Sequence, residues 1–117
     1  MKLILKSNGK GGRGKKLTGA NIGKTVISIS SRIRLMGVTK DWYGAFGYDE
    51  DMNTSLFLSK KKKGGFFKLT TAGGKRQNLY ISISKLNREV MKDFMGEYEF
   101  ENQYKKDDVL IINIKRV

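Results

Sequence analysis

Apolar and polar residues alternate at every second position in several short stretches of the chain. "VISIS" at 26–30 and "YISIS" at 80–84 each set two isoleucines between serines, the period of a half-buried strand. "WYGAFGY" at 42–48 puts Trp42, Phe46 and Tyr48 on one face with Gly44 between them. "FMGEYEF" at 94–100 repeats that spacing with Phe94, Tyr98 and Phe100 around Gly96. Glycine inside a strand marks a bulge or a close backbone approach. Further strands are expected at 2–6, 55–60, 66–71 and 109–115, with the second ladder running over 94–101. Between strands, Ser30 or Ser31 and Ser84 stand where they would cap short helical segments. The first, "SRIRLMG", is closed by Gly37. In the second, "KLNREVMKDF", Leu86 and Val90 lie four apart on one face. "DEDMNT" and "NQYKKDD" read as polar turns.

These elements recur in one order. The aromatic ladders match each other, as do "VISIS" and "YISIS", "KLILKSNGK" and "KLTTAGGK", "SLFLSK" and "VLIINIK". Repeats of this kind are the first thing to seek in a chain. The reading is one mainly β domain over 1–117, made of two ββαββ halves, 1–63 and 64–117. The first half carries a basic Gly-rich arm at 7–24. Two ladder faces that cover each other would give 117 residues one shared aromatic core. The alternative is a stacking platform for bases. Acids flanking the ladders (Asp49, Glu50 and Asp51; Glu97, Glu99 and Glu101) would repel phosphates there.

Composition narrows the chemistry. The chain has no cysteine, histidine or proline, which removes disulfides, thiol chemistry, imidazole catalysis and the commonest zinc ligands. Absent cysteine fits a cytoplasmic protein. No apolar run approaches a membrane span, and the N-terminal apolar stretch is too short for a secretory signal. Charge is the strongest signal: 24 Lys+Arg against 11 Asp+Glu, a formal +13. Such a balance points to a polyanion, above all nucleic acid. The signs are segregated. Residues 1–40 hold ten basic residues and no acid, 41–51 four acids, 60–88 nine basic residues and no acid, and 89–108 seven acids. Neither a Walker loop nor a GxGxxG fingerprint is present. The carboxylates at 49–51 and 107–108 fall in expected turns, where acids are routine. No catalytic residue, metal site or cofactor is assigned, and no enzyme is expected.

The segment "GKTVISISSRIRLMGVTKDWYGAFGYDEDMNTSLFLSK" resembles the AbrB/MazE swapped-hairpin family. The matching positions are Gly23-Lys24, Ile27 to Ser30, Arg32 to Met36, Gly37, Trp42 to Tyr48, Asp49 to Asp51, and Leu56 to Leu58. Residues 73–115 follow the same plan less closely. The family places proline at the start of the helix, where this chain has Ser30 and Ser84. It also interlocks two chains with one unit each, where this chain holds two units. The resemblance implies a small closed β-barrel of two pseudo-symmetric halves with two short helices. It further implies duplex-DNA binding in the manner of a transcriptional regulator. Lys24, Arg32 and Arg34 would touch DNA, and in the second half Lys75, Arg76, Lys85 and Arg88.

Three basic clusters are candidates for nucleic-acid contact. The arm carries Lys10, Arg13, Lys15 and Lys16 among glycines, where the backbone can lie close to phosphate. The run Lys60, Lys61, Lys62, Lys63 precedes Gly64-Gly65 and reads either as a phosphate-tracking hairpin tip or as a solvated linker between the halves. "GGKRQN" at 73–78 combines Arg76 with Gln77 and Asn78, types that read base edges. Lysine outnumbers arginine, 18 to 6, which suits phosphate contact better than base reading. The expectation is a non-enzymatic protein that binds DNA, duplex in preference to single strand, as a monomer or homodimer with no membrane contact. Two alternatives stay open. One is a single-strand binder. The other is a small phage-type, anti-CRISPR-like inhibitor that docks on a protein or protein–RNA complex.

Overall fold

The structure, a computed structural model, describes residues 17–71 and 78–117. The chain enters at β1 (Ala20–Ile22) and β2 (Val26–Ile29), makes a 3₁₀ segment over Ser31–Met36, and continues through β3 (Tyr43–Tyr48) and β4 (Thr54–Ser59). It then forms β5 (Phe67–Lys68), β6 (Thr70–Thr71) and β7 (Leu79–Ser82). A helical segment follows, in three short pieces over Lys85–Asn87, Arg88–Met91 and Lys92–Phe94. Last come β8 (Gly96–Lys106) and β9 (Val109–Arg116). With β5 and β6 taken as one bent strand, the described chain runs ββ–helical–ββ twice.

The nine strands of the described residues join one antiparallel sheet in the order β5-β3-β4-β9-β8-β1-β2-β7-β6. The two terminal strands are consecutive in the chain, with Leu69 between them. β5 pairs with β3, Tyr43 opposite Lys68, while β6 pairs with β7, Thr71 opposite Leu79. One bent strand thus bridges the two edges, and the sheet becomes a nearly closed barrel. Closure buries Ile22, Ile29, Leu56, Leu58, Leu69, Leu79 and Ile112 inside the wall, and Ile33 seals one end.

Two seams relate the halves. β2 meets β7 with Ile27 opposite Ile81, and β4 meets β9 with Phe57 opposite Ile111. Val26 faces Ser82 while Ser28 faces Tyr80, and Leu56 faces Ile112 while Leu58 faces Leu110. Each seam is therefore symmetric about its central pair, the register of a local two-fold axis. The symmetry lapses between β3 and β8. β3–β4 turns through residues 49–53, whereas β8–β9 turns on Asp107 and Asp108 alone, both at positive φ. That two-residue form matches strand twist. A register shift between Phe100 and Asn102 adds a bulge to β8.

Several local expectations change. The strand expected at 2–6 lies outside the described residues. Within the stretch read as an arm, residues 20–22 form β1, with Ala20 and Ile22 buried and Asn21 exposed. The strand at 66–71 breaks at Leu69 because its two ends serve different neighbours. Phe94 belongs to the helical segment and not to β8, and β8 runs on through the expected turn to Lys106. Ser30 caps as expected, its Oγ accepting from the Arg32 amide at 3.1 Å. Gly37 closes that segment at φ 92. Ser84 makes no such bond to the backbone; its Oγ accepts from Asn87 Nδ2 at 3.0 Å. Leu86 and Val90 stay in solvent, since Met91 and Phe94 form the buried side of that segment.

The ladders meet, though not face to face along their length. Phe94 packs on Phe46 at 5.3 Å between ring centroids and on Tyr48 at 4.6 Å. Tyr98 is buried, its hydroxyl donating to Phe94 O at 2.7 Å and accepting from Arg116 Nη2 at 3.0 Å. Trp42 is buried at the opposite end of the barrel, with Lys60 Nζ 5.9 Å from its ring centroid.

Candidate nucleic-acid interface

The direction of each strand decides which end of the barrel its flanking charges reach. β2 runs upward into the Ser31–Met36 segment, and β4 and β8 run the same way into Lys60 and Lys106. That end collects Arg32, Arg34, Lys40, Lys60 to Lys63, Lys105 and Lys106, nine basic residues. Asp41, Asp107 and Asp108 oppose them, and Glu99 and Glu101 line a cleft with Arg32. The other end carries the 23–25 turn, the helical segment 85–94 and the 49–53 turn. Its six basic residues (Lys24, Lys85, Arg88, Lys92, Lys115, Arg116) meet six acids (Asp49, Glu50, Asp51, Glu89, Asp93, Glu97). A charge segregation written along the chain thus becomes a segregation between ends.

Geometry fixes the basic end in place. Residues 60–66 cross over the start of β3 to reach β5 on its far side, so the lysine run arches above Trp42. Ser59 Oγ accepts from the Lys61 amide at 3.1 Å and holds the start of the arch. Beside it, Trp42, Ser59, Lys60, Lys61, Lys105 and Asp108 line one small cleft. Lys60, Lys61 and Lys62 are exposed and Lys63 is half-buried. Lys105, Lys106 and Lys40 were not singled out from sequence. Lys105 and Lys106 sit inside a block dominated by acids, and only the hairpin returns them to the lysine arch.

The remaining candidates divide between the ends. Arg32 is exposed and Arg34 half-buried on the capped 3₁₀ segment. The Ser31 amide donates to Asn78 Oδ1 at 3.2 Å, which ties that segment to the last residue of "GGKRQN". Lys24, Lys85 and Arg88 gather at the other end, because the Ile83 amide donates to Thr25 O at 2.9 Å and Arg88 Nε donates to Ile83 O at 3.4 Å. The two groups lie at opposite ends of the β2–β7 ribbon, five residues apart along β2 or about 17 Å. Between them the outer surface of β1-β2-β7-β6 presents Asn21, Ser28, Tyr80 and Thr70 in one row. That row contains no acid. Arg13, Lys15, Lys16, Lys75 and Arg76, with Lys10, lie outside the described residues.

Other chemistries find less support in the arrangement. Among the described residues, no group of three or more His, Cys, Asp or Glu comes together as a metal site. None of their helices is long and apolar enough to cross a membrane. Asp49 spends its carboxylate on its own turn: Oδ1 accepts from the Asp51 and Asn53 amides at 2.9 Å each, and Oδ2 from Asn53 Nδ2 at 3.1 Å. The bonds from Asn53 hold its pKa below the usual value.

Compared with protein-family models, with curated proteins and with solved structures, the chain matches none. The likeness to the AbrB/MazE family therefore stands on its motif alone.

Proposed function

We propose that this chain is a non-enzymatic DNA-binding protein that holds duplex DNA by its phosphates, in the manner of a small regulator. The observation that carries this reading is the meeting of two lysine-bearing loops, 60–63 and 105–106, with Arg32 and Arg34 at one end of the barrel. Lysine is a flexible point charge, suited to phosphate and poorly suited to bidentate base reading. A stacking platform along the whole ladder is less well supported, since Trp42, Phe94 and Tyr98 are buried and only Phe46, Tyr48 and Phe100 keep exposed surface. Base selectivity would come from Arg32, Arg34 and the polar row on β1-β2-β7-β6.

Affinity for a mixed-sequence duplex, measured by fluorescence anisotropy across a salt series, tests this reading. Neutralising about six phosphates gives a slope of log K against log salt near −5. Replacing Lys60, Lys61 and Lys62 by glutamine should flatten that slope by about 3, at ~0.9 per lost contact. Absence of duplex binding, or a slope untouched by the triple substitution, would refute it.

A further inference from the structure

We infer that a gap in the barrel wall is a pocket for one unpaired nucleobase, so that the nucleic acid this protein prefers carries a single-stranded end or an extruded base. The inference rests on the DNA-binding reading above and adds a specific feature to it.

The gap follows from the bent strand. β6 covers β7 only at Leu79 and Tyr80, while β5 is drawn away to β3. Among the described residues, no strand pairs with Ile81 and Ser82 on that side. A cavity of about 310 Å³ opens there, at the small end of the ligand-cavity range of about 300 Å³ upward. Its walls include the rings of Phe46, Tyr48 and Phe67, and its floor Ile27, Ile81 and Met91. Tyr48 and Phe67 are exposed although large and aromatic. Phe46 and Tyr48 already pack on Phe94, so what they offer a flat, apolar ring is their remaining surface beside Phe67, and stacking of that kind tolerates any base.

The polar groups are neutral. Ser82, Asn87 and the Tyr48 hydroxyl are the hydrogen-bonding side chains of the lining, with Asn87 Nδ2 already donating to Ser84 Oγ, and none of the described lining residues is charged. The backbone adds a donor and an acceptor. Because the Ile83 amide donates to Thr25 O, antiparallel alternation turns Ile81 and Ile83 toward β2 and Ser82 away from it. The Ser82 N–H and C=O are therefore directed into the gap side by side, the complement of a base edge. An acyl chain would leave these groups unpaired, and a charged ligand would meet no countercharge within the lining.

Cations mark a path for the strand that carries the base. The lysine arch descends from the basic end to Gly65, a lining residue, and the Phe66 amide donates to Lys63 O at 3.1 Å in the turn beside it. Lys85 and Arg88 flank Asn87 on the far side. Asp49, next to Tyr48, has its carboxylate engaged by Asn53 and Asp51.

Three duplexes separate the possibilities: one blunt, one with a three-nucleotide overhang, and one whose overhang keeps its phosphates but lacks bases. The native chain should bind the base-bearing overhang about tenfold tighter than the abasic one, within the range measured for stacking one base. Val90→Trp fills the mouth from a rim position that is 47% exposed, so folding should tolerate it. Phe67→Ala removes one wall. Either change should erase the tenfold preference and leave blunt-duplex affinity as it was. Equal affinity for the two overhangs, with blunt duplex still bound, overturns the pocket and spares the DNA-binding reading. A preference that survives both substitutions overturns it equally. Loss of all duplex binding by the native chain ends both.

Discussion

Gly44 shows how little room a barrel this small leaves. A Cβ there would stand 2.9 Å from Ile81 Cδ1 and 3.0 Å from both Leu58 Cδ2 and Leu69 Cδ2, so side chains from β7, β4 and the bend between β5 and β6 already occupy the space. Gly44→Val is expected to cost about 1–3 kcal/mol by overpacking, read as a lower urea midpoint at unchanged m. A neutral result would mean that the three side chains move aside freely. Asp49 makes a different demand on its residue type. Its carboxyl is held below the usual value of 3.8, first by the Asn53 amide and then by the Asn53 side chain. A depressed folded pKa contributes stability above the unfolded value and loses it as pH falls through the folded one. Asp49→Asn should therefore lower the melting temperature at pH 7, and the gap from the native chain should close below about pH 3.8. A gap that stays constant into acid would show that the charge plays no part.

At the scale of elements, what could be read from sequence follows from where water lies. β2, β4, β7 and β9 each have one wet and one dry face, or lie largely buried, and their apolar patterns state it plainly. The Ser30 cap and Gly37 stop bound the first helical segment by chemistry that depends on local sequence alone. β8 was harder. Past Phe100 it projects beyond the wall with every residue from Glu101 to Lys106 exposed, so alternation vanishes and the stretch imitates a turn. β1 is three residues long inside a Gly/Lys-rich stretch, and only its pairing with β2 and β8 reveals it. The candidate site was legible in kind and not in membership. The lysine run at 60–63 stands out as a string, but its partners Lys105 and Lys106 arrive through a hairpin 40 residues later. The gap beside Ser82 depends on how one bent strand divides its pairing, a matter no local pattern records.

Among the described residues, basic side chains gather at one end of the barrel. Nine basic residues against five acids at that end, and six against six at the other, among those same described residues, make a field that would orient an approaching polyanion before contact. Such a field acts on the rate of encounter more than on the lifetime of the complex. The ends can therefore be weighed separately. Lys60, Lys105 and Lys106 changed together to glutamine should slow association with duplex DNA by about tenfold at low salt, within the range ascribed to electrostatic steering. The matching change at Lys24, Lys85 and Arg88 should slow it much less, because the six acids there already balance the local field. Raising salt past the point where the Debye length is about 8 Å should bring the two variants together. Stopped-flow anisotropy at two ionic strengths reads all three rates. Equal slowing by both variants at low salt would place the attracting charge over the whole surface instead of at one end.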